Sequence, residues 1–456
     1  MNISSFRDLN LLPLIQKKLE NLGFKKITKI QKICIPPALK NFDVIGSART
    51  GSGKTLCFVL PIFQKFFISA WNNSDSIFSV IITPVRELCL QLFHFFDKFN
   101  LIASSMVGLL IGKKIFNEKI LKKKLILIIA TPGYLLNTIF AFPFLNFDST
   151  KILTIDEADK LLDIGFKKFF DILNRHLPRK KQNLIFSATI NSKLKNLTRI
   201  NINNPIYGYI KENNKISKEF SKEKYPDVSK KNFQFYSVLK NRKIDILFSF
   251  VISHSQRKLL VFFSTKKQVK FYYYILKKLC NNLNLFFIFG EMKQSRRVTN
   301  FVGFSRSKTG ILLTTDLMAR GIDFKLIDWV LQFDCPENIE VYLHRIGRTG
   351  RSSDLGNSLL LLKTNEIKFL EQLKKHFLKI YKLKLNFNQI TKISEKLKIL
   401  TKKKKFRKIA HDAFYSYIRF LILQKNKKTF DIRKFDWHAT AMDFGITRLI
   451  QEKKNH

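Results

Sequence analysis

Short, almost uninterrupted apolar runs recur along the first part of this chain, and a polar or glycine-containing turn ends most of them. They read "DVIGSA", "SVIITP", "LILIIATP", "ILTIDEAD" and "NLIFSAT". Apolar strands that alternate with helix-like stretches are typical of a parallel sheet covered on both faces. The series pauses at about residues 211–232, which are charged and nearly free of large apolar side chains. It resumes with "LLVFFST", "GILLTTD", "DWVLQFD" and "NSLLLLK", so we predict two α/β domains joined by a polar linker.

The same pattern suggests where the domains begin and end. We predict a first domain over residues 1–210, a linker over 211–232, a second domain over 233–385 and a C-terminal extension over 386–456. In the extension the strands stop, and one stretch places several apolar side chains on a single helical face: Ala413, Phe414, Tyr417, Ile418 and Leu421. This spacing favours a basic, mainly helical extension packed on the second domain over a separate active module.

Lysine and arginine outnumber the acidic residues by 82 to 34, which gives a formal net charge of +48. Such a charge indicates a polyanionic partner, above all RNA or DNA. A second explanation competes with it, because lysine, asparagine, isoleucine and the 45 phenylalanines are all abundant, as an A/T-rich genome would produce. Composition alone leaves both explanations open.

The five cysteines are widely spaced and include no C-x-x-C pair. This distribution argues against a disulfide framework or a structural zinc site and fits a reducing compartment. No N-terminal segment joins a basic start to a long apolar core, and no apolar run reaches the roughly 20 residues that a membrane helix needs. We therefore expect a soluble, unsecreted protein with no membrane partner.

The segment Ser47–Thr55, "SARTGSGKT", lies between an apolar run and a helix-like stretch, which is the context of a phosphate-binding loop. Its backbone N–H groups and the N-terminus of the following helix would face phosphate oxygens. Lys54 would reach the β- and γ-phosphates, and the Thr55 hydroxyl would help to hold Mg²⁺. Ala48 stands where the general pattern G-x-x-x-x-G-K-[ST] has its first glycine.

An enzyme with such a loop also needs an acidic group at the end of a buried strand to hold the metal. The segment "KILTIDEADK" places Asp156 at such a position, about 100 residues further along. Glu157, beside it, would orient or deprotonate the attacking water. The alternative, a solvated acidic turn after a strand, does not account for a phosphate loop and an acidic pair at compatible spacing.

Ala48, the D-E-A-D segment Asp156–Asp159 and the "SAT" of Ser187–Thr189 together resemble the DEAD-box RNA helicases of superfamily two. Alanine is common at the first loop position in that family. The resemblance runs from about Phe6 to Leu362. It implies an α/β fold of two tandem RecA-like parallel-sheet domains with a short helical extension, an RNA-stimulated ATPase and helicase activity, and ATP and Mg²⁺ as cofactors.

Upstream, "GFKKITKIQ" resembles the Q motif of this family, which reads adenine and implies ATP rather than GTP. By this resemblance Gln31 would bond the base edge, Phe24 would stack on it and Thr28 would support the loop, while Phe6 matches the isolated upstream aromatic. The resemblance implies a set of nucleotide-binding residues: Phe24, Thr28, Gln31, Ala48, Arg49, Thr50, Gly51, Ser52, Gly53, Lys54, Thr55 and Asp323, the last contacting the ribose. Thr55 and Asp156 would hold Mg²⁺.

Downstream, "TDLMARGID" and "HRIGRTGR" match the fifth and sixth motifs of the family. Alone, the second segment would also fit a basic solvated turn. Arg348 and Arg351 are similar to the arginine fingers that stabilise the γ-phosphoryl group during transfer. Because both lie on the second predicted domain, hydrolysis would require the two domains to close. The implied catalytic residues are Lys54, Asp156, Glu157, Arg348 and Arg351, and the residues that couple ATP to RNA are Asp159, Ser187, Thr189 and His344.

RNA contacts in this family go mainly to phosphates and 2′-hydroxyls, which makes them independent of sequence. The positions that match the family's RNA contacts are Pro84, Arg86, Glu87, Gly112, Thr131, Pro132, Gly133, Gln294, Arg297, Thr315, Asp316 and Arg320. The chain also departs from the family at four positions on the RNA side: Val85 for threonine, Lys113 for glycine, Tyr134 for arginine and Phe289 for histidine. These departures put RNA affinity and unwinding strength in question more than ATP hydrolysis.

"WVLQFDCPEN" and the basic C-terminal extension resemble a nucleolar subset of DEAD-box proteins that act in small-subunit ribosomal RNA processing. This resemblance implies pre-ribosomal RNA or small nucleolar RNA duplexes as substrates, possible ribosome-assembly proteins as partners, a monomer, and a location in the nucleolus. Two alternatives stay open: an ATP-gated RNA clamp that separates no strands, and a DNA helicase.

Overall fold

The computed structural model describes most of the chain. The described residues are 3–48, 51–69, 71, 76–111, 124–142, 144–163, 167–187, 202–209, 232–239, 243–280, 282–316, 324, 326–350, 356–375, 379–383 and 390–447. The chain divides into two compact units, the first formed by Met1–Pro226 with Gly321–Asp323 and the second by Asp227–Arg320 with Phe324–His456. Most of the predicted linker, 211–231, lies outside the described residues.

The first unit is built on a seven-stranded sheet in which every pair of neighbouring strands is parallel. The strand order across the sheet is β3-β4-β2-β5-β6-β1-β7. The strands are β1 Val44–Ser47, β2 Ser79–Ile82, β3 Val107–Leu110, β4 Leu127–Ala130, β5 Ile152–Ile155, β6 Gln182–Ser187 and β7 Ile206–Tyr209.

Helices cover both faces of this sheet. They are α1 Pro13–Asn21, α2 Lys29–Leu39, α3 Lys54–Ile68, α4 Arg86–Phe99, α5 Pro132–Ala141, α6 Ala158–Asp163 and α7 Lys167–His176. Successive strand residues enter two different cores: Val44 packs in one with α2 and α3, whereas Ile45 packs in the other with α5 and α7. A strand that is buried on both faces needs apolar residues at every position, which explains the continuous apolar runs in the sequence.

The second unit repeats this architecture. Its seven strands are again parallel, in the order β10-β11-β9-β12-β13-β8-β14. Numbered from the first strand of each unit, the two sheets therefore have the same order. The strands are β8 Asn232–Leu239, β9 Lys258–Phe263, β10 Leu285–Ile288, β11 Gly310–Thr315, β12 Trp329–Gln332, β13 Gly356–Lys363 and β14 Tyr381–Lys382. The helices are α8 Lys243–Ser253, α9 Lys266–Leu279, α10 Gln294–Arg306, α11 Ile339–Ile346 and α12 Ile367–Lys375.

The C-terminal extension is helical, as predicted, and belongs to the second unit. It contains α13 Ser394–Lys402, α14 Lys404–Leu423 and α15 Trp437–Asp443. Helix α14 lies against α9. The ring of Phe444 fills the space between them, because its centroid lies 5.4 Å from that of Phe271 and 5.8 Å from that of Phe414. The predicted apolar face of α14 is buried except for Ile418, which is half-buried.

A buried group of charged side chains joins the extension to the second unit. The Lys363 ammonium donates to the Thr440 hydroxyl over 2.6 Å and lies 4.7 Å from the Phe435 ring centroid. Burial lowers the pKa of Lys363 to about 8, although the negative charge of Asp443 opposes the shift. Burial raises the pKa of Asp443 in turn, against the opposing charges of Lys363 and Lys243. One carboxylate of the extension thus compensates two buried ammonium groups of the domain on which it packs.

We expect Asp443→Asn to destabilise the second unit by about 3 kcal/mol, because it removes the carboxylate charge that acts on both buried lysines. Glu366 and Asp334 then remain as the acidic groups that act on Lys363. The measurement is denaturant unfolding of the full chain. Asp412→Asn is the matched control, since Asp412 is exposed and pairs with Lys267 over 3.2 Å, and it should cost less than about 1 kcal/mol. A loss of under 1 kcal/mol in Asp443→Asn would refute the compensating role of this carboxylate.

The five cysteines are free thiols, four of them buried. Among the described residues, no helix is both long enough and apolar enough to cross a bilayer.

Candidate active site

The loops that follow three neighbouring strands bring the predicted catalytic segments together. In the first sheet β1 pairs with β6, and β6 pairs with β5. The phosphate loop follows β1, Ser187 ends β6, and Asp156 and Glu157 follow β5. Because all three strands are parallel, their carboxyl ends meet at one edge of the sheet, which is where open α/β sheets bind ligands.

The phosphate loop ends in a backbone conformation that favours glycine. Gly51 has φ +76° and Gly53 has φ +91°, and both values lie in the left-handed region. Gly53 is the N-cap of α3, so Lys54 begins the helix. A Cβ atom on Gly53 would also lie 2.5 Å from the Gln31 Nε2 atom. The loop therefore requires glycine here for two independent reasons.

Lys54 is buried, and its ammonium group is held by two carbonyl oxygens. It donates to Ala48 O over 2.7 Å and to Ser187 O over 3.2 Å. The Ala48 N–H also donates to Ser187 O, over 3.1 Å. The Ala48 methyl group packs in the hydrophobic core beneath the loop. Alanine at this position therefore contributes packing to the core.

The hydroxyls of Ser52 and Thr55 test whether the phosphate loop can hold phosphate oxygens and a metal ion. Ser52 Oγ is buried and has no hydrogen-bond partner among the residues that the structure describes, an uncommon state for a buried hydroxyl. Thr55 is only half-buried, on the first turn of α3. An N–H-rich helix start, a buried ammonium and an unsatisfied hydroxyl suit phosphate oxygens. The residues present therefore fit a nucleoside triphosphate, and Thr55 and Asp156 offer the oxygen ligands that Mg²⁺ prefers.

The Q-motif residues support the same loop. The Thr28 N–H donates to Gln31 Oε1 over 2.8 Å, and Gln31 Nε2 donates to Gly53 O over 2.9 Å. Gln31 is only 2% exposed. Both ends of its amide are thus occupied within the protein, so Gln31 fixes the position of the phosphate loop. Its predicted bond to adenine stays a prediction.

Phe24, predicted to stack on adenine, lies among aromatic rings of the first unit. Its centroid is 6.2 Å from that of Phe99 in a stacked arrangement and 6.4 Å from that of Phe6. Phe24 is half-buried, whereas Phe6 is buried. One part of the Phe24 ring is therefore accessible to solvent.

The Asp156 carboxylate lies in an environment that disfavours its charge. Burial and the neighbouring Glu157 carboxylate raise the pKa of Asp156 to about 6, against the opposing charges of Lys54 and Lys160. Its Oδ1 accepts the backbone N–H of Glu157 over 3.0 Å. Such a displacement of the pKa, in a buried carboxylate that Lys54 of the phosphate loop also influences, is typical of a functional site.

Glu157 adopts φ +54°, a left-handed conformation that costs a residue with a side chain of the order of 1–3 kcal/mol. Its carboxylate forms a buried ion pair with Lys160, in which Oε2 and Nζ lie 2.6 Å apart. The strained turn directs two successive carboxyl groups to the same edge of the sheet. Strain of this kind persists where the surrounding structure enforces it, and it concentrates at active sites.

The predicted RNA contacts of the first unit follow β2 and β4, which are neighbours in the sheet. Arg86 begins α4, and Glu87 beside it is fully buried. Val85 is the N-cap of α4 and is also buried, so this helix start lacks the side-chain oxygen that threonine would supply. The nucleotide-site segments lie at the ends of β1, β6 and β5. The RNA-side segments lie at the ends of β2 and β4, the next two strands of the sheet.

Thr131, Pro132 and Gly133 follow β4 and form the start of α5. A Cβ atom on Gly133 would meet nothing within 4 Å, and its φ is not in the left-handed region. Neither the backbone nor the neighbouring protein atoms demand glycine here, which leaves close approach of a ligand as a reason for it. Burial raises the pKa of the Tyr134 phenol while the nearby Arg86 guanidinium opposes the shift, so this departure from the family lies beside Arg86.

In the second unit, Thr315 ends β11 and Asp316 follows it. The Asp316 carboxylate forms a bidentate pair with Arg345, with Oδ1 2.6 Å from Nε and Oδ2 2.7 Å from Nη2. Arg345 Nη1 also donates to Asp334 O over 2.7 Å. Sequence reasoning did not single out Arg345. It fixes Asp316, and it belongs to the helix that carries His344.

His344, predicted to couple ATP to RNA, lies in the last turn of α11, and Arg348, predicted as an arginine finger, follows this helix. Arg348 Nε donates to the carbonyl of His344 over 3.0 Å. Both residues are buried. This bond sets the direction of the Arg348 side chain relative to the helix.

Two further RNA candidates, Gln294 and Arg297, lie on α10, directly after the loop that follows β10. Arg297 Nη1 donates to Gly290 O over 3.4 Å. Phe289, which replaces the usual histidine, is buried against Phe287 with centroids 5.9 Å apart. Gln294 begins α10. The substitution at Phe289 therefore enlarges the core and removes a polar side chain from this loop.

Three family models match the chain. They are DEAD/DEAH box helicase over residues 28–197, helicase conserved C-terminal domain over residues 242–353, and the ATP-dependent rRNA helicase SPB4-like C-terminal extension over residues 403–449. The chain thus carries a DEAD/DEAH box helicase domain and a helicase conserved C-terminal domain.

Curated DEAD-box relatives are similar along nearly the whole chain. The ATP-dependent RNA helicase dbp4 of Schizosaccharomyces pombe is 35% identical over 448 residues, which cover 97% of this chain and 60% of the relative. The probable ATP-dependent RNA helicase DDX10 of Homo sapiens is 34% identical over 447 residues, covering 97% of this chain and 50% of the relative. The chain thus spans about half to three-fifths of the length of these relatives.

Solved DEAD-box structures share the fold. Mss116p, with its NTE and C-tail deleted and bound to ssRNA and AMP-PNP, aligns with a TM-score of 0.81 at 26% identity, covering 97% of this chain and 90% of that one. S. cerevisiae Dbp5 bound to RNA and ADP BeF3 aligns with a TM-score of 0.71 at 24% identity, covering 84% of this chain and 96% of that one. The predicted fold class is confirmed.

Several positions that the DEAD-box resemblance singled out lie outside the described residues: Arg49, Thr50, Gly112, Lys113, Thr189, Arg320, Asp323 and Arg351. The others are described, and the first unit brings Lys54, Ser187, Asp156 and Glu157 to one sheet edge. Asp159 follows within α6 and is buried.

Proposed function

We propose that this chain is an ATP-dependent RNA helicase, which hydrolyses ATP when RNA binds and separates or remodels short RNA duplexes. The observation that carries the proposal is the meeting of Lys54, Asp156 and Glu157 at the ends of neighbouring strands. A buried ammonium, a carboxylate with a raised pKa and a second carboxylate on a strained turn form a phosphoryl-transfer site.

Each group has a distinct task in this site. The Lys54 ammonium, held by carbonyl oxygens, would exchange these for phosphate oxygens of ATP. Asp156 and Thr55 would hold Mg²⁺, which supplies charge neutralisation at the phosphates when bound. Glu157 would orient the attacking water and accept its proton. Gln31 keeps the loop in place through Gly53 and would contact adenine.

RNA would bind along the half of the sheet edge that the nucleotide does not use. Arg86 supplies a cation at the start of α4, and the open space at Gly133 admits a backbone. In the second unit Asp316 and Arg297 are fixed by hydrogen bonds within the protein. Contacts of this kind go to phosphates and 2′-hydroxyls, so the core would bind RNA without reading its sequence.

ATP and single-stranded RNA together would draw the two domains into a closed state that bends the RNA strand. Arg348, and by the resemblance Arg351, would then stabilise the charge on the transferring γ-phosphoryl group. Hydrolysis would return the protein to the open state and release the strand.

The names of the similar proteins and the family model that matches the extension support a proposal about the biological setting. The similar proteins are named ATP-dependent RNA helicases dbp4 and DDX10, and the extension matches an rRNA helicase SPB4-like model. We therefore propose pre-ribosomal RNA, including small nucleolar RNA duplexes, as the substrate, ribosome-assembly proteins as partners, the nucleolus as the location, and a monomeric protein.

The test is RNA-stimulated ATP hydrolysis measured beside release of a strand from a short RNA duplex. Lys54→Ala should weaken ATP binding by about 100-fold, because charge-assisted bonds to phosphate are lost, and both activities should disappear. The matched control is Lys17→Ala, which changes an exposed lysine of α1 and should retain both activities.

The outcomes separate the alternatives. ATPase without strand release would indicate an ATP-gated clamp, and stimulation by DNA equal to that by RNA would indicate a DNA helicase. Normal ATPase in Lys54→Ala, with unfolding midpoints equal to the wild type, would remove the proposed nucleotide site.

A further inference from the structure

Two neighbouring helices of the second unit carry an unusually one-sided charge. Helices α9 and α14 lie against each other and contain five Lys or Arg residues each. Helix α9 contains no acidic residue, and α14 contains one, Asp412, which pairs with Lys267 of α9. The whole chain carries 82 basic to 34 acidic residues, so composition alone does not account for ten cations beside one carboxylate.

Helical spacing arranges these charges in rows that include aromatic rings. On α9, positions 267, 270, 274 and 278 share a face, and Lys270, Tyr274 and Lys278 are exposed there. The Tyr274 side chain is 37% exposed. An exposed tyrosine between lysines offers a surface on which a base can stack while the lysines contact phosphates.

Helix α14 repeats the arrangement. Lys404, Lys408, His411, Tyr415 and Arg419 fall on one face. Tyr415 is 45% exposed, and its ring stacks on that of His411 with centroids 6.1 Å apart. We call these two rows together the α9–α14 face. The Lys267–Asp412 pair joins one row to the other.

The α9–α14 face begins beside the loop between β10 and α10, which directly precedes the RNA candidates Gln294 and Arg297. Lys266, in the first turn of α9, forms an ion pair with Glu291. The Lys270 ammonium lies 5.2 Å from the centroid of Phe289. Arg297 binds the carbonyl of Gly290 in the same loop. An RNA strand that leaves the core site at this loop would therefore meet α9 first and α14 next.

We propose that the α9–α14 face is a second RNA-binding surface, which holds single-stranded RNA as it leaves the core site. It rests on the proposed function, because the RNA that it holds is the substrate of the same enzyme. Cations contact phosphates, and Tyr274 and Tyr415 stack on bases, so binding is independent of sequence. The extension then contributes affinity for long RNA, with no part in ATP hydrolysis.

The experiment compares full-length variants by fluorescence anisotropy with two labelled RNAs, one of six uridines and one of twenty. Tyr274→Ala/Tyr415→Ala should bind the long RNA about tenfold more weakly and the short RNA as the wild type does, because each lost stacking contact weakens binding at least severalfold. Lys270→Gln/Lys408→Gln/Arg419→Gln should also lower the slope of log affinity against log salt by about two for the long RNA only.

The matched control is Lys17→Gln/Lys98→Gln/Lys180→Gln, which removes three exposed lysines of the first unit. It should leave long-RNA affinity within about twofold of the wild type. An equal loss in this control would show that affinity follows net charge alone and would overturn the proposal. Unchanged long-RNA affinity in the tyrosine variant would also overturn the proposal. An acidic protein would then be the favoured ligand of the α9–α14 face.

ATPase activity stimulated by the short RNA keeps this proposal separate from the proposed function. It should be the same in wild type and all three variants, whose unfolding midpoints should agree. If the wild type shows no RNA-stimulated ATPase, the proposed function fails. If it does, and the variants bind long RNA normally, only the second surface fails.

Discussion

Arg348→Ala should lower the RNA-stimulated kcat for ATP by about 10³-fold or more, while ATP affinity stays within a few-fold of the wild type. An arginine that reaches the γ-phosphoryl group acts on charge that develops only in the transition state, and such residues contribute about 10³–10⁵ in rate. The bond from Arg348 Nε to His344 O holds the guanidinium in a fixed direction from α11. The measurement is steady-state ATPase at saturating RNA, with nucleotide affinity measured in parallel.

Four further variants test whether the loss of activity comes from the guanidinium group of Arg348. Arg348→Lys keeps the charge but loses the planar fork, so it should recover little activity. Arg345→Ala should instead reduce stability, because it leaves the Asp316 carboxylate without its bidentate partner. Arg179→Ala, at an exposed arginine of the first unit, should behave as the wild type. If kcat falls less than about tenfold in Arg348→Ala and also in Arg348→Ala/Arg351→Ala, the finger assignment is wrong.

The sequence predicts those strands that are buried on both faces. β1, β2, β4, β5 and β6 each contain at least two consecutive apolar residues, because each supplies residues to two cores. Three of the strands that it does not predict have weaker patterns. β7, at the sheet edge, exposes three of its four residues, β14 has only two residues, and β3 contains Gly108. Edge strands and short strands need few apolar residues, so their pairing partners define them.

The duplication of the fold is predicted by the DEAD-box resemblance and by the shared rhythm of strands and helices. No repeat of individual residues is visible in the chain, yet the two sheets have the same strand order. A sheet order is maintained by which faces are buried and by right-handed crossovers, and many different residues satisfy both. The shared strand order therefore needs no repeat of individual residues.

Within the site, motifs predict residues, and the structure adds the bonds between them. The Glu157–Lys160 pair has the i, i+3 spacing of a helical turn and could have been predicted from the sequence. The Arg345–Asp316 pair joins residues 29 positions apart on different elements. The Gln31–Gly53 bond joins helix α2 to the phosphate loop. Contacts of this type depend on the tertiary fold, so no local pattern indicates them.

The abundance of lysine also has a structural component that composition does not reveal. Lys54, Lys160, Lys243 and Lys363 are buried, and each lies beside carbonyl oxygens, carboxylates or aromatic rings. Buried ammonium groups are rare without such compensation. Some of the positive charge thus serves the nucleotide site and the docking of the extension, and the α9–α14 face accounts for another part.

Glu157→Gln should lower kcat by about 10³-fold and leave ATP and RNA affinities nearly unchanged, because general-base assistance contributes about 10²–10⁴ in rate. Glutamine has the same shape but accepts no proton from water. Since the Glu157 charge helps to raise the pKa of Asp156, its removal leaves Asp156 ionised at least as readily, and metal and nucleotide binding should persist.

Loss of the partner of Lys160 is the competing explanation, because it would lower activity by disturbing the turn at Glu157. Lys160→Met separates the two effects: it also breaks the pair but keeps the base, so it should retain far more activity than Glu157→Gln at equal fold stability. Glu395→Gln, at an exposed glutamate of α13, controls for the substitution itself. In single-turnover reactions Glu157→Gln should hold ATP and RNA together without hydrolysis. Wild-type turnover in this variant would mean that another group activates the water, and that the strained turn only positions Asp156.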